Sequence, residues 1–248
     1  MNDSNPTSLP PIISSSISPT SPLGESPDDR VPVAGIVGAI EAILRQPRRV
    51  MFQLGNGNAG ALLAVLLALT VVCTLAYGVV VGTFSGGTQL WAAPLKIVAG
   101  LLISALICLP SLYIFSCLGG STARLVEVIG LLAGLLALMT VLLIGFAPVA
   151  WVFSQSTSSL PVMGALHLFF WFIATCFGLR FLCAGFAHQQ IKSTAGLNVW
   201  IVIFLLVAVQ MTTALRPILG RADTLLPTEK KFFLQHWSAC MDKRPPKQ

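Results

Sequence analysis

The chain has 248 residues, of which 55% are hydrophobic and 10% are charged, and its formal net charge is +6. Soluble domains carry about 25% charged residues, so a soluble globule of this composition could not cover its surface. The mean hydropathy of +0.82 indicates the same. We therefore predict an all-α, polytopic membrane protein, most of whose surface faces lipid or other apolar helices.

The basic residues cluster before the first apolar segment and after the last one. Cations at those places suit anionic lipid headgroups, whereas a nucleic-acid-binding protein would carry a basic stripe on a folded face. We therefore predict a lipid bilayer, and no nucleic acid, as a partner. The six cysteines form no C-x-x-C pair, and we interpret them as small buried hydrophobes rather than disulfides or metal ligands.

The segment before the first apolar run divides into two parts. Residues 1–32 are rich in Ser and Pro, which predicts disorder because such a segment buries too little apolar surface to offset the entropy of ordering. Residues 33–58 are predicted to form an amphipathic helix over 33–46, ended by Pro47, and a turn leading into the first span. This helix either lies in the membrane interface or packs against the end of the bundle.

Residues 59–215 are predicted to form five transmembrane helices, because each of five apolar segments is long enough to cross a hydrocarbon core of about 30 Å. The alternating pattern of a membrane β-barrel is absent. The short links between the segments make sequential helices antiparallel. The predicted segments are 59–83, 91–118, 126–153, 161–186 and 197–215.

Residues 216–248 form a basic, aromatic C-terminal tail. Its Phe232, Phe233 and Trp237 suit a membrane interface, or they dock onto the bundle or a partner. The positive-inside rule, applied to the loops, predicts a cytoplasmic N-terminus and, after five crossings, an external tail. The seven lysines and arginines of the tail oppose that assignment, and we follow the loops because the first helix usually sets the orientation.

The sequence contains two glycine motifs. The stretch from Gly55 to Gly60 matches G-x-G-x-x-G, but no strand precedes it and no acidic residue follows at the required distance, so we interpret it as a flexible turn and predict no cofactor. Gly130 and Gly134 form a G-x-x-x-G pattern in the third apolar segment, which predicts close helix packing either within the chain or between copies.

Charged residues inside apolar segments are the strongest indicators of a site, because each costs about 2.5 to 3.5 kcal/mol at mid-bilayer. With a cytoplasmic N-terminus, Glu127 and Arg180 fall in the same leaflet, and we predict that they face the bundle and pair. Two alternatives are that each side chain reaches separately for the interface, or that the pair serves transport or catalysis.

A second polar group is predicted toward the outer end: Lys96, His167, Gln210 and Arg216. These residues would line one outer polar pocket, or His167 would simply hydrogen-bond a neighbour. The spans hold Glu127 as their only acid, the three histidines are scattered, and there is no H-E-x-x-H sequence. We therefore predict no catalytic residues and no metal site.

The stretch Gln210-Met211 through Leu215-Arg216-Pro217-Ile218-Leu219-Gly220, followed by Glu229-Lys230 and Phe232-Phe233, resembles the end of a group of uncharacterised bacterial multi-span membrane proteins. The layout of a disordered N-terminus, an amphipathic lead-in and five spans is also distantly similar to the Yip-domain family. The resemblance implies a five-helix fold in the bacterial inner membrane and no known activity.

Two functions are consistent with these features. The first is a non-enzymatic structural or interaction subunit that binds a membrane-protein partner or copies of itself. The second is a small transporter or channel subunit with a polar site between its helices.

Overall fold

The structure is a computed structural model, and it describes residues 23–56, 59–85, 89–157, 159–189 and 193–214. Its helices are α1 (Gly35–Arg45), α2 (Pro47–Gly55), α3 (Ala59–Ser85), α4 (Gln89–Leu118), α5 (Leu125–Ser156), α6 (Leu160–His188) and α7 (Ala195–Ala214). A short 3₁₀ helix, Pro27–Arg30, precedes them. The predicted all-α class is confirmed for the described residues.

Helices α3 to α7 begin and end within three residues of the five predicted apolar segments. Four of them, α3 to α6, are long and apolar enough to cross a membrane by length and composition. In α7 the apolar part within the described residues, Ala195–Met211, is shorter. The chain is therefore a helical, apolar membrane bundle with four candidate spans and a fifth, shorter apolar helix.

The bundle is arranged in the spatial order α7–α4–α3–α5–α6. Sequential helices run antiparallel, as the short links predict. Helix α7 packs on α4 through Trp200, whose indole N–H donates to the carbonyl of Cys108 at 2.8 Å, and through Gly196, which lies against Phe115. Helix α6 packs mainly on the other side of the row, against α5.

Helix α5 is the core of the bundle. In its most apolar stretch 72% of the residues are buried, against 28% to 39% in the other three candidate spans. Helices α3 and α6 cover its flanks, and α1 and α2 cover its beginning. The other helices expose large apolar side chains such as Leu106, Phe172 and Val202, as lipid-facing surfaces do.

Residues 23–56 form a cap on one end of the bundle. The sequence predicts disorder through Pro32 and a turn after Pro47. The structure instead forms a second helix, α2, and holds residues 23–32 against it through Asp29, Val31 and Pro32. Pro47 occupies the first turn of α2, where proline is tolerated because its missing N–H has no partner there in any case. The prediction for residues 1–22 lies outside the described residues.

Helix α1 has two apolar sides. Ala39, Ala42 and Ile43 are buried against the bundle, whereas Ile36 and Val37 are exposed. The apolar arc of α1 is therefore wider than the surface that the bundle covers. The predicted packing of this helix on the bundle end accounts for one side only.

The two glycines of the G-x-x-x-G pattern lie at packing contacts within the chain. A side chain at Gly130 would overlap Leu54 of α2, and one at Gly134 would overlap Phe181 of α6. Both glycines therefore let another helix approach α5 closely.

We expect Gly134→Ala to destabilise the bundle by about 1 to 3 kcal/mol, because the added methyl group overpacks the contact with Phe181. Gly145→Ala is the matched control: Gly145 lies on the same helix with open space around it, and alanine there favours the helix. Thermal unfolding in mild detergent measures both variants. Equal midpoints for the two variants would contradict the close α5–α6 contact.

Candidate functional site

The buried carboxylate of Asp29 fastens residues 23–30 to α2. Asp29, only 6% exposed, accepts a hydrogen bond from the backbone N–H of Gly24 at 3.1 Å and lies 3.4 Å from Arg48 of α2. Gly24 has a positive φ of 88°, and its missing side chain leaves room for the ring of Phe52. Residues 23–30 are therefore folded around one ion pair.

Two polar side chains of α2 hold the chain just before α1. The guanidinium of Arg49 donates to the carbonyls of Val31 at 2.6 Å and Pro32 at 2.7 Å. The amide oxygen of Gln53 accepts from the N–H of Val33 at 2.9 Å. Since these contacts bind backbone groups, the strap from Val31 to Val33 is held on α2 by α2's own side chains.

Glu127 lies at the cap end of α5 and pairs with Arg124. The Arg124 Nε donates to Glu127 Oε1 at 2.8 Å, and another of its nitrogens donates to the carbonyl of Gly55 at 3.0 Å. Arg124 thus links the end of α2 to the first turn of α5. Acidic residues in a first helical turn also interact favourably with the helix dipole.

The predicted pair between Glu127 and Arg180 is wrong among the described residues. Helices α5 and α6 run antiparallel, with Leu135 against Gly178 and Leu131 against Gly185. Arg180 is therefore level with about Leu135, eight residues or about 12 Å along α5 from Glu127. Arg180 is exposed on the outside of α6.

A cleft of about 90 Å³ opens beside Glu127 at the cap end. It combines apolar walls with the carboxylate of Glu127 and the amide of Gln189, whose oxygen accepts from Ser121 at 3.3 Å. The cleft is large enough for water or a small group rather than for a metabolite. Its lining residues are Leu23, Met51, Leu54, Gly55, Glu127, Leu131, Gly185 and Gln189.

His167 of the predicted outer cluster is hydrogen-bonded to Tyr77. The Tyr77 hydroxyl lies 2.7 Å from His167 Nδ1, and the two rings meet edge to face. The pair joins α3 to α6 across the face of α5. His167 Nε2 is buried and has no hydrogen-bond partner among the described residues.

The other two described members of the predicted outer cluster lie on α4 and α7, not on the helices that carry Tyr77 and His167. Lys96 is buried in the first half of α4. Gln210 is half-buried on α7, at the opposite edge of the row from α6, and its side-chain oxygen lacks a partner among the described residues. Arg216 lies outside the described residues.

Buried threonine and serine hydroxyls in the spans donate to carbonyls of their own helices. Thr74 donates to the carbonyl of Thr70 at 2.6 Å, and Thr175 donates to that of Trp171 at 2.7 Å. Such bonds to the preceding turn satisfy a hydroxyl donor without any ligand. Thr70, Ser104 and Thr140 bond in the same way.

The sequence did not predict two contacts: the Tyr77–His167 hydrogen bond and the Asp29–Arg48 ion pair. Tyr77 lies eight residues before the end of α3 and His167 seven residues after the start of α6, so matching their depths could have identified the pair. Asp29 carried no such signal, because it sits in a Ser/Pro-rich stretch beside Asp28.

Among the described residues, no three His, Cys, Asp or Glu side chains are grouped so as to hold a metal ion. Comparison with known proteins finds no family model, no curated protein and no solved structure that matches this chain. The resemblance to bacterial multi-span proteins and to Yip-domain proteins stays a prediction.

We expect Asp29→Ala to release residues 23–30 from α2. The change removes a buried acceptor that serves both Gly24 and Arg48, which costs about 1 to 3 kcal/mol locally. Trypsin cleavage after the exposed Arg30 measures this release as a faster rate.

Asp28→Ala is the control, because Asp28 is the adjacent acid but is exposed. If Asp28→Ala accelerates cleavage as much as Asp29→Ala, the buried ion pair does not hold the segment.

Proposed function

We propose that this chain is a five-span protein of the bacterial cytoplasmic membrane that acts by binding other membrane proteins or copies of itself, without catalysis. The observation that carries the proposal is the contrast between the two parts of the molecule. Buried threonine hydroxyls of the spans donate to carbonyls of their own helices, while most of the described charged groups lie in or beside the cap. The charged cap could therefore bind another protein, whereas the described residues of the spans offer few free polar groups for catalysis.

The fifth span in this proposal is α7. Its 20 residues correspond to about 30 Å of helix, the thickness of a hydrocarbon core. Trp200 and Phe204 are fully buried against the bundle, while Val199, Val202 and Leu206 are exposed. A helix with one packed apolar side and one exposed apolar side suits the edge of a membrane bundle.

The cap lies on the cytoplasmic side in this proposal. Five arginines lie in or beside the cap: Arg30, Arg45, Arg48, Arg49 and Arg124. The positive-inside rule assigns such an end to the cytoplasm. Exposed Trp91 and Trp151 lie toward the other end, where indole rings favour the membrane interface.

Helix α1 is the interfacial element. Leu54 of α2 lies against Gly130, which is five residues, or about 8 Å, into α5. The cap therefore surrounds the beginning of α5 at the depth of the membrane interface rather than standing above it. At this depth the exposed Ile36, Val37 and Leu44 would enter the acyl region, and Arg45 would remain in water.

Purification of the full chain in a mild detergent tests the interaction role. We expect a defined oligomer or a complex with another membrane protein, measured by light scattering with correction for detergent. A chain that remains a monomer at every concentration, with no co-purifying protein, would contradict this role.

Labelling of Cys240 tests the number of spans. In a variant that lacks the other five cysteines, we expect a membrane-impermeant thiol reagent to label Cys240 in intact cells, because five crossings put the tail outside. Ser26→Cys in a cysteine-free chain is the control for the cytoplasmic cap and should react only after lysis. Protection of both positions until lysis would mean four crossings.

A transporter or channel subunit is the second candidate, favoured by His167 and Gln210. Each has a buried side-chain atom, His167 Nε2 or Gln210 Oε1, with no hydrogen-bond partner among the described residues. A polar substrate could form the missing hydrogen bond. On this alternative, His167→Phe abolishes flux through the protein in vesicles while the helix content is unchanged. If the first proposal is correct, the variant keeps its oligomeric state, and neither it nor the wild-type protein shows flux.

A further inference from the structure

Arg180 is a charged residue on the outward face of a membrane helix. Its neighbours Phe181 and Leu182 are buried, with Phe181 against α5, whereas Arg180 is exposed. Cys176 and Ala184, one turn before and after it, are exposed on the same side. The guanidinium group therefore faces the surroundings of the bundle rather than its core.

Its depth makes this position costly. Arg180 lies six residues, or about 9 Å, from the midpoint of α6 near Ala174, so its backbone is about 6 Å inside the edge of a hydrocarbon core. A charge held there is unfavourable, because the hydrocarbon does not solvate it. The long arginine stem can carry the charged group to the edge of the hydrocarbon layer, toward the cap end.

The described part of the chain supplies no counter-charge. Arg180 belongs to none of the three ion pairs among the described residues, which join Glu127 to Arg124, Asp29 to Arg48 and Glu41 to Arg45. A second copy in the same orientation would present Glu127 about 12 Å nearer the cap. The counter-charge that fits this depth is a group at the hydrocarbon edge.

We infer that Arg180 binds the phosphate of an anionic lipid in the leaflet on the cap side. A guanidinium group matches phosphate with two parallel hydrogen bonds. Cys176 and Ala184, exposed on the same side of α6, have small side chains that would not obstruct an acyl chain beside the headgroup.

This inference deepens the proposed function, because it rests on the membrane placement of the bundle, but it requires neither a fifth span nor a partner at the cap. The test is native mass spectrometry of the full chain in mild detergent with equal amounts of phosphatidylglycerol and phosphatidylcholine. We expect the wild-type protein to retain phosphatidylglycerol about tenfold better, as one charge-assisted contact would give.

Arg180→Gln should remove the preference, and Arg180→Lys should keep part of it, because lysine retains the charge without the paired donors. Arg45→Gln is the matched control: Arg45 is an exposed arginine of the cap, with 78% of its side chain accessible, and the preference should survive its loss. If Arg180→Gln does not fold, the Arg180→Lys result decides.

An unchanged preference in Arg180→Gln, or equal loss in Arg45→Gln, would overturn the inference. So would the absence of any preference in the wild-type protein, which would point to an acidic side chain of a partner helix as the counter-charge. Displacement of the lipid by inorganic phosphate would show a general phosphate site and overturn the lipid assignment.

Discussion

The structure depends on the close packing of other helices against α5. A helix with most of its apolar residues buried needs neighbours on nearly every side, and it can be approached closely only where its side chains are small. Gly130 and Gly134 provide two such places, one for α2 and one for α6. In lipid, where the hydrophobic effect does not drive helices together, this van der Waals packing is the main force that holds a bundle.

The contact at Gly130 also explains why the cap is part of the bundle. Leu54 anchors α2 beside α5, and Arg124 joins the end of α2 to α5 through the carbonyl of Gly55. Asp29 and Arg49 then fasten residues 23–33 to α2. The result is an asymmetric molecule, with most of its described charge at one end and an aromatic, weakly charged opposite end.

The helices could be predicted from the sequence because length and apolar composition alone decide a membrane helix. The partners of those helices could not, since an apolar segment carries no sign of which neighbour it meets. Gly130 and Gly134 indicated a packing face but did not identify Leu54 or Phe181 as the residues that fill it. The Glu127 prediction failed because a distant arginine was preferred to Arg124, which lies three residues earlier, directly before the first turn of α5.

Crosslinking tests the central contact most directly. In a cysteine-free chain, Leu54→Cys combined with Gly130→Cys should form a disulfide readily in native membranes, because Leu54→Cys removes the side-chain atoms that would overlap a group at position 130. Leu54→Cys combined with Gly145→Cys, about 22 Å farther along α5, should not crosslink. Equal crosslinking of the two pairs, or none in the first, would contradict a cap that is anchored on the beginning of α5.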